Sequence, residues 1–180
     1  MTTNTLEFTQ LQNKIFRLLC IKSGENLNQR QIAKLLNATP SGIAKALTML
    51  EKKQIVNVKR DNLMNLNSIT LNRNQKIMQM KQIENLKQIY ETELVDFLEN
   101  EFPGSTIIMF GSFTRGEDTT NSDIDLAIIE AKNKTINLKE FETKLERTIN
   151  INFYKSFSEI NKHLKENLCN GITLSGGIEL

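Results

Sequence analysis

One stretch limits what this chain can fold into: Thr106 to Ile129, TIIMFGSFTRGEDTTNSDIDLAII. It opens with Ile107-Ile108-Met109-Phe110, a short unbroken apolar run of the kind that forms a buried strand. Gly111-Ser112 follows at once, and Asp123-Ile124-Asp125 heads a second apolar run, Leu126 to Ile129. Side chains two apart on a strand share a face. Asp123 and Asp125 therefore stand side by side, and Ile124 and Leu126 turn into the core. Carboxylates that close repel each other unless a cation lies between them. Mg²⁺ suits the place, because it takes oxygen ligands and is typically held by one or two carboxylates plus substrate phosphates.

Gly111-Ser112 offers the other half of such a site. Glycine lets backbone come close to a ligand. A short helix opening at Ser112 and running through Phe113-Thr114-Arg115 would present free N–H groups to phosphate. The Ser112 hydroxyl adds a contact and Arg115 a neutralising charge. There is no Gly-Lys-Ser/Thr, so this is not a Walker loop. Gly-Ser, ten residues, then Asp-x-Asp, with Arg115-Gly116 and Ser122-Asp123-Ile124-Asp125-Leu126 between and around them, resembles the signature of the minimal nucleotidyltransferases of the DNA-polymerase-beta superfamily, in a prokaryotic, archaeal-type form. The bland alternative is a Gly-Ser turn and a solvated pair of acids at a strand end.

The resemblance implies roles. Asp123 and Asp125 are the catalytic acids and hold Mg²⁺. Gly111, Ser112 and Arg115 bind the nucleotide, a nucleoside triphosphate with ATP first among them. A hydroxyl of an unknown acceptor attacks the α-phosphate and releases pyrophosphate. The superfamily places a third carboxylate on a third strand, where it completes the metal site and can serve as base. Here Ile149-Asn150-Ile151-Asn152-Phe153 alternates as that strand, and the position falls on Asn150, with Asn152 the other option. Asparagine accepts no proton as a carboxylate does, though its carbonyl can still reach a metal. Nucleotide binding is thus better supported than catalysis.

The first part of the chain has a different character. Met1 to Leu71 holds ten Lys+Arg against four Asp+Glu; Asn72 to Leu180 holds thirteen against seventeen. A basic beginning joined to an acidic remainder implies two modules with different partners. Thr9-x-x-Gln12 reads as a capping box, followed by Leu11, Ile15, Leu18 and Leu19 at helical spacing and a stop near Ser23-Gly24. Asn28 is the N-cap of a second helix with Ile32, Ala33, Leu35 and Leu36 inward. Thr39 caps a third, with Pro40 at its first position, Ile43, Leu47 and Leu50 inward, and Ser41, Lys45, Thr48 and Lys52 on the opposite face. Ile55 to Val58 and Leu66 to Leu71 form a hairpin whose tip carries Lys59-Arg60. Three helices and a hairpin resemble the winged helix-turn-helix family. Carried over, Ser41, Lys45, Thr48 and Lys52 face DNA, and Lys59 and Arg60 touch phosphate. The alternative is a winged helix used for protein contact or for pairing into a homodimer.

The fold class is therefore α+β: a winged helix over residues 1–72, a connector helix over 73–102, and a small α/β nucleotidyltransferase domain with a mixed sheet over 103–180. Arg73 to Glu101 lacks Pro and Gly, and Ile77, Met80, Ile83, Ile89/Tyr90, Leu94 and Phe97/Leu98 recur as on one long helix. Leu138 to Arg147 and Phe157 to Cys169 read as helices, and Ile172 to Leu180 as a short last strand. Hydrophobic content of 39% is ordinary for a globular protein. No apolar run is long enough for a bilayer and no signal pattern opens the chain, so a cytoplasmic protein without membrane partners is expected. Cys20 and Cys169 fit no metal spacing and read as reduced thiols. His163, among Lys162 and Lys165, reads as a surface residue. Two further readings stay open. One is a DNA-binding regulator whose second domain has degraded chemistry. The other is an antitoxin-like partner of a small helical toxin.

Overall fold

The computed structural model describes residues 7–61 and 66–178; the side chains of Arg60, Asp61 and Leu66 also lie outside the description, as does the expected hairpin tip. The chain divides into two compact units, Met1–Ile77 and Met78–Leu180.

In the first unit α1 (Gln10–Ile21) starts at Thr9, whose hydroxyl accepts from Gln12 N–H while the Gln12 side chain returns to the Thr9 backbone. α2 (Gln29–Leu35) opens with the same reciprocal pair made by Asn28 and Gln31. α3 (Pro40–Lys52) is capped by Thr39, with Pro40 where a missing N–H leaves no bond unmade. β1 (Val56–Asp61) and β2 (Leu66–Leu71) pair antiparallel, Val56 opposite Leu71. Ile15, Leu19, Ile32, Ile43, Leu47, Leu50, Ile55 and Ile69 fill the interior. This is a winged-helix arrangement of three helices and a hairpin. One expectation needs correction: Leu35 does not face inward but is 53% exposed, because the seven-residue α2 buries only Ile32 and Ala33.

In the second unit the expected long helix is two. α4 (Gln75–Glu91) and α5 (Leu94–Glu101) are separated at Glu93, which sits in the left-handed region at φ 62°. Apolar period alone does not see a break that costs only one residue its helical geometry. β3 (Thr106–Phe110), α6 (Ser112–Arg115), β4 (Ile124–Ile129), α7 (Lys139–Leu145), β5 (Ile149–Tyr154), α8 (Lys162–Cys169) and β6 (Ile172–Ser175) follow. The sheet order is β5-β4-β3-β6, with β4 antiparallel to β3 and parallel to β5, and β6 antiparallel to β3. Residues 157–160 are a turn rather than the first turn of the last helix; α8 begins after Asn161, whose side chain caps it.

Both faces of the sheet are covered. Ile107, Met109, Ile124, Leu126 and Ile128 pack with Leu94, Leu98 and Leu145. Ile108, Ala127 and Ile129 pack with Phe157, Ile160 and Leu168. That is why β3 and β4 are apolar without alternation. α4 departs from expectation in another way. Ile83, read as a core contact, is 68% exposed; of Ile89/Tyr90 it is Ile89 that is buried; and Lys81, Asn85 and Gln88 are buried. Among the described residues no helix is long and apolar enough to cross a membrane.

Candidate active site

The acid pair and the Gly-Ser bend meet. Asp125 is the second residue of β4, paired with Phe110 at the end of β3 on one side and with Asn150 of β5 on the other. Gly111 comes next after Phe110 and takes φ 88°, ψ −159°, a conformation that favours glycine. A Cβ at Gly111 would lie 2.8 Å from Asp125 Oδ2. The glycine therefore does two things: it makes the bend, and it leaves the space that the Asp125 carboxylate occupies.

Asn150 bridges the two acids. Its Nδ2 donates to Asp123 Oδ2 at 3.1 Å and to Asp125 Oδ1 at 3.5 Å. Asn152 pairs with Ala127, two residues further along the strand. Of the two candidate asparagines, Asn150 is thus the one at the acids. Asp123 and Asn150 are exposed and Asp125 is half-buried. Among the described residues no Lys or Arg side chain forms an ion pair with either acid.

This donor set fits a hard cation. Two neighbouring carboxylates are bridged by a neutral amide, which offsets little of their repulsion. A half-turn of the Asn150 amide replaces its Nδ2 with a carbonyl oxygen. Asp123, Asp125 and Asn150 then present three oxygens, the chemistry Mg²⁺ takes. No group of three or more His, Cys, Asp or Glu able to hold a metal occurs among the described residues.

The other predicted residues are placed as follows. Ser112 opens α6, a four-residue helix closed by Gly116 in the left-handed region. The Thr114 hydroxyl donates to Gly111 O at 2.8 Å and fixes the bend from within. Arg115 Nε donates to Glu117 Oε2 at 2.8 Å, and both side chains are at least half exposed. An open polar cleft of about 390 Å³ borders Asp123, between residues 120–123, α7 and the turn before β5. In the first unit Ser41, Lys45, Thr48 and Lys52 are all exposed along α3, and Lys59 is exposed on β1. The Thr48 hydroxyl donates back to Ala44 O at 3.0 Å. The Arg60 side chain is outside the described residues.

Sequence reasoning missed a polar cluster in the interior of the second unit. Asp118, 1% exposed, lies in the loop between the bend and the acids. Its Oδ1 accepts from Lys81 Nζ at 2.5 Å and from Asn85 Nδ2 at 2.7 Å, and its Oδ2 from Arg147 Nη2 at 3.3 Å. Lys81 Nζ also donates to Asp118 O at 2.6 Å. The available signal was the spacing Ile77, Lys81, Asn85, Ile89, a straight i, i+4 row with two polar members in it.

Three solved structures of bacterial proteins resemble parts of the chain. A point mutant of ZitR from Lactococcus lactis has a TM-score of 0.42 at 18% identity, over 57% of this chain and 67% of that one. The adhesin competence repressor AdcR from Streptococcus pyogenes has 0.42 at 18%, over 54% and 70%. MepR, a transcription regulator of the Staphylococcus aureus multidrug efflux pump MepA, has 0.42 at 23%, over 53% and 71%. Likenesses of that size do not say what this chain binds. A search of the curated proteins found no match. Residues 91–178, from the last residue of α4 to just past β6, match the family described as "Polymerase beta, Nucleotidyltransferase".

Proposed function

We propose that the second unit transfers a nucleoside monophosphate from a nucleoside triphosphate to a hydroxyl acceptor, with Mg²⁺ as cofactor. The observation that carries this is the contact between Gly111 and Asp125 at an edge where Asp123, Asp125 and Asn150 converge. Asp123 and Asp125 hold the cation, with the Asn150 carbonyl as third donor. When bound, Mg²⁺ supplies charge neutralisation on the phosphates and on the transition state. Gly111 and Ser112 take the terminal phosphates, the glycine by admitting them to the backbone and the serine through its hydroxyl. Arg115, exposed and paired with Glu117, would exchange that carboxylate for a phosphate. With no third carboxylate, the attacking hydroxyl finds its base in Asp123 or Asp125 or loses its proton to water, which makes a slow enzyme.

Titration of the full chain with Mg·ATP and the other Mg·NTPs by calorimetry tests the site directly. Binding is expected for at least one, and Asp123→Ala is expected to remove it. A blank wild-type titration with all four would end this reading. Label transfer from α-labelled NTP to a lysate component tests the chemistry.

Asn150 also favours a second reading, in which the second unit binds nucleotide without transferring it and the winged helix carries the activity on DNA. The exposed row Ser41, Lys45, Thr48 and Lys52 on α3, on a segment with a net positive charge, supports DNA contact. Binding there should weaken steeply with salt, and each lysine removed should lower the salt slope by about one. Binding of Mg·NTP with no transfer, together with salt-sensitive DNA binding, is the outcome this second reading expects.

A further inference from the structure

Asp118 is not among the acids of the site, yet it is connected to every segment that builds it. Through Lys81 and Asn85 it is bound to α4. Asn85 uses the same Nδ2 to donate to Phe113 O at 2.9 Å, so α4 also holds α6, the helix opened by Ser112. Gly116, which ends α6, lies so close to α4 that a Cβ there would be 2.3 Å from Met78 O and 2.9 Å from Gln82 N. Asp118 itself stands five residues before Asp123 in the same loop. Arg147, its third partner, stands three residues before Asn150 and leads into β5. Bend, acid pair and bridging amide thus hang from one buried carboxylate.

Burial makes this an all-or-none device. Lys81 and Asp118 are 0% and 1% exposed and Arg147 is 5% exposed. Charges taken that far out of water are tolerated only in good geometry with their hydrogen bonds made. Lys81 reaches both the carboxylate and the backbone carbonyl of Asp118, and so ties the loop at two points. Of the donors, Lys81 and Asn85 precede residue 91 and lie outside the stretch that matches the nucleotidyltransferase family.

We propose that Asp118, with Lys81, Asn85 and Arg147, is a positioning residue for the nucleotide site: it sets the distance between the Gly111-Ser112 bend and the Asp123, Asp125 and Asn150 edge. This rests on the nucleotidyl-transfer reading above. It assigns no contact between Asp118 and substrate.

The test uses the full chain, wild type against Asp118→Asn and Asn85→Ala. The second variant leaves the two ion pairs in place and stays available should the first fail to fold. Mg·ATP affinity is measured by calorimetry, and amide hydrogen exchange is followed across the second unit. Both variants are expected to lose at least tenfold in affinity while folded. Exchange should accelerate in residues 112–118 and 147–150 and stay near wild type in β3 and β4. A purely structural cluster gives a different result: exchange rises throughout, and the folded variant binds Mg·ATP within twofold of wild type. That result overturns the proposal and leaves the site reading standing. A wild-type protein that binds no Mg·ATP overturns both.

Discussion

Asp118 and Asp123 lie in one loop, five residues apart, and are treated in opposite ways. Asp118 is buried, with Lys81, Arg147 and Asn85 all donating to its carboxylate. Asp123 is exposed beside a second acid, and its described partner is a neutral amide. A carboxylate surrounded by cations in the interior has its charge already answered and holds structure. A carboxylate pair left at an open edge has a charge still to be answered. Burial thus distinguishes the acid proposed to organise the site from the acids proposed to act in it.

The largest effect should come from the buried member. Lys81→Met keeps the volume and removes the nearest cation from Asp118. Breaking one partner out of a buried ion pair costs about 3 to 5 kcal/mol, and the remaining bonds from Arg147 and Asn85 place the expected loss near the lower end. Urea unfolding measures it. A loss under about 1 kcal/mol would mean that the cluster is wet or loose, and the contrast with Asp123 would break.

Gly111→Ala comes next and touches the boundary between the two regions. The φ of 88° strains any other residue, typically by more than about 1 kcal/mol at such a position. The new methyl also meets Asp125 Oδ2. Because that contact is with the end of a side chain, the fold can survive by moving the carboxylate. The expected result is a stability loss of about 1 to 2 kcal/mol with Mg·ATP binding abolished in protein that is still folded. Retained binding would detach the bend from the acids.

How much of this was legible beforehand follows the same division. The nearness of the acids to the bend was readable because these residues sit at fixed local spacings. Asp123 and Asp125 differ by two at the start of β4, where the Asn150 amide bridges them, and Gly111 adjoins the run that becomes β3. The caps at Thr9, Asn28 and Thr39 were readable for the same reason, since each bonds within three residues. The buried cluster left only a faint trace, the i, i+4 row Ile77, Lys81, Asn85, Ile89. Lys81 and Asp118 are 37 positions apart, and a lysine among glutamines on a helix looks like a solvated face. Hydrophobic period therefore placed Ile77 and Ile89 inside, where they are, but also Ile83, which is exposed while Lys81, Asn85 and Gln88 are buried. The periodicity argument assumes that polar groups prefer water. Here an acid on a distant loop, together with the carbonyl of Phe113, offered Lys81 and Asn85 a better partner. Leu35 fails for a different reason, since a seven-residue helix buries only one narrow stripe.

Asn150→Asp should sharpen the contrast from the other side. It adds a third carboxylate beside two that have no cation partner among the described residues. Without divalent cation the variant should be less stable than wild type, through like-charge repulsion. With Mg²⁺ the order reverses. Affinity for the ion is expected to rise about tenfold, or ~1.4 kcal/mol, and any slow transfer activity should rise with it. Calorimetry with MgCl₂, and unfolding with and without it, report both signs. Unchanged affinity would show that Asn150 stands outside the cation's reach.

The smallest effect on stability belongs to Asp123→Asn, and it is the most telling. An exposed acid in no ion pair among the described residues contributes little to the fold, so the unfolding free energy should stay within about 0.5 kcal/mol of wild type. Relief of its repulsion with Asp125 can even make the variant the more stable of the two. Over the same change the heat of Mg·ATP binding should vanish, because one of the two charged donors to the cation is gone. Asp118→Asn, with the same loss of one charge in the same loop, is expected to weaken both fold and binding. If the two variants behave alike, in either direction, then burial does not distinguish the organising acid from the acting one. A flat stability response at Asp123 paired with a lost titration, set against a joint loss at Asp118, is what the difference in their surroundings requires.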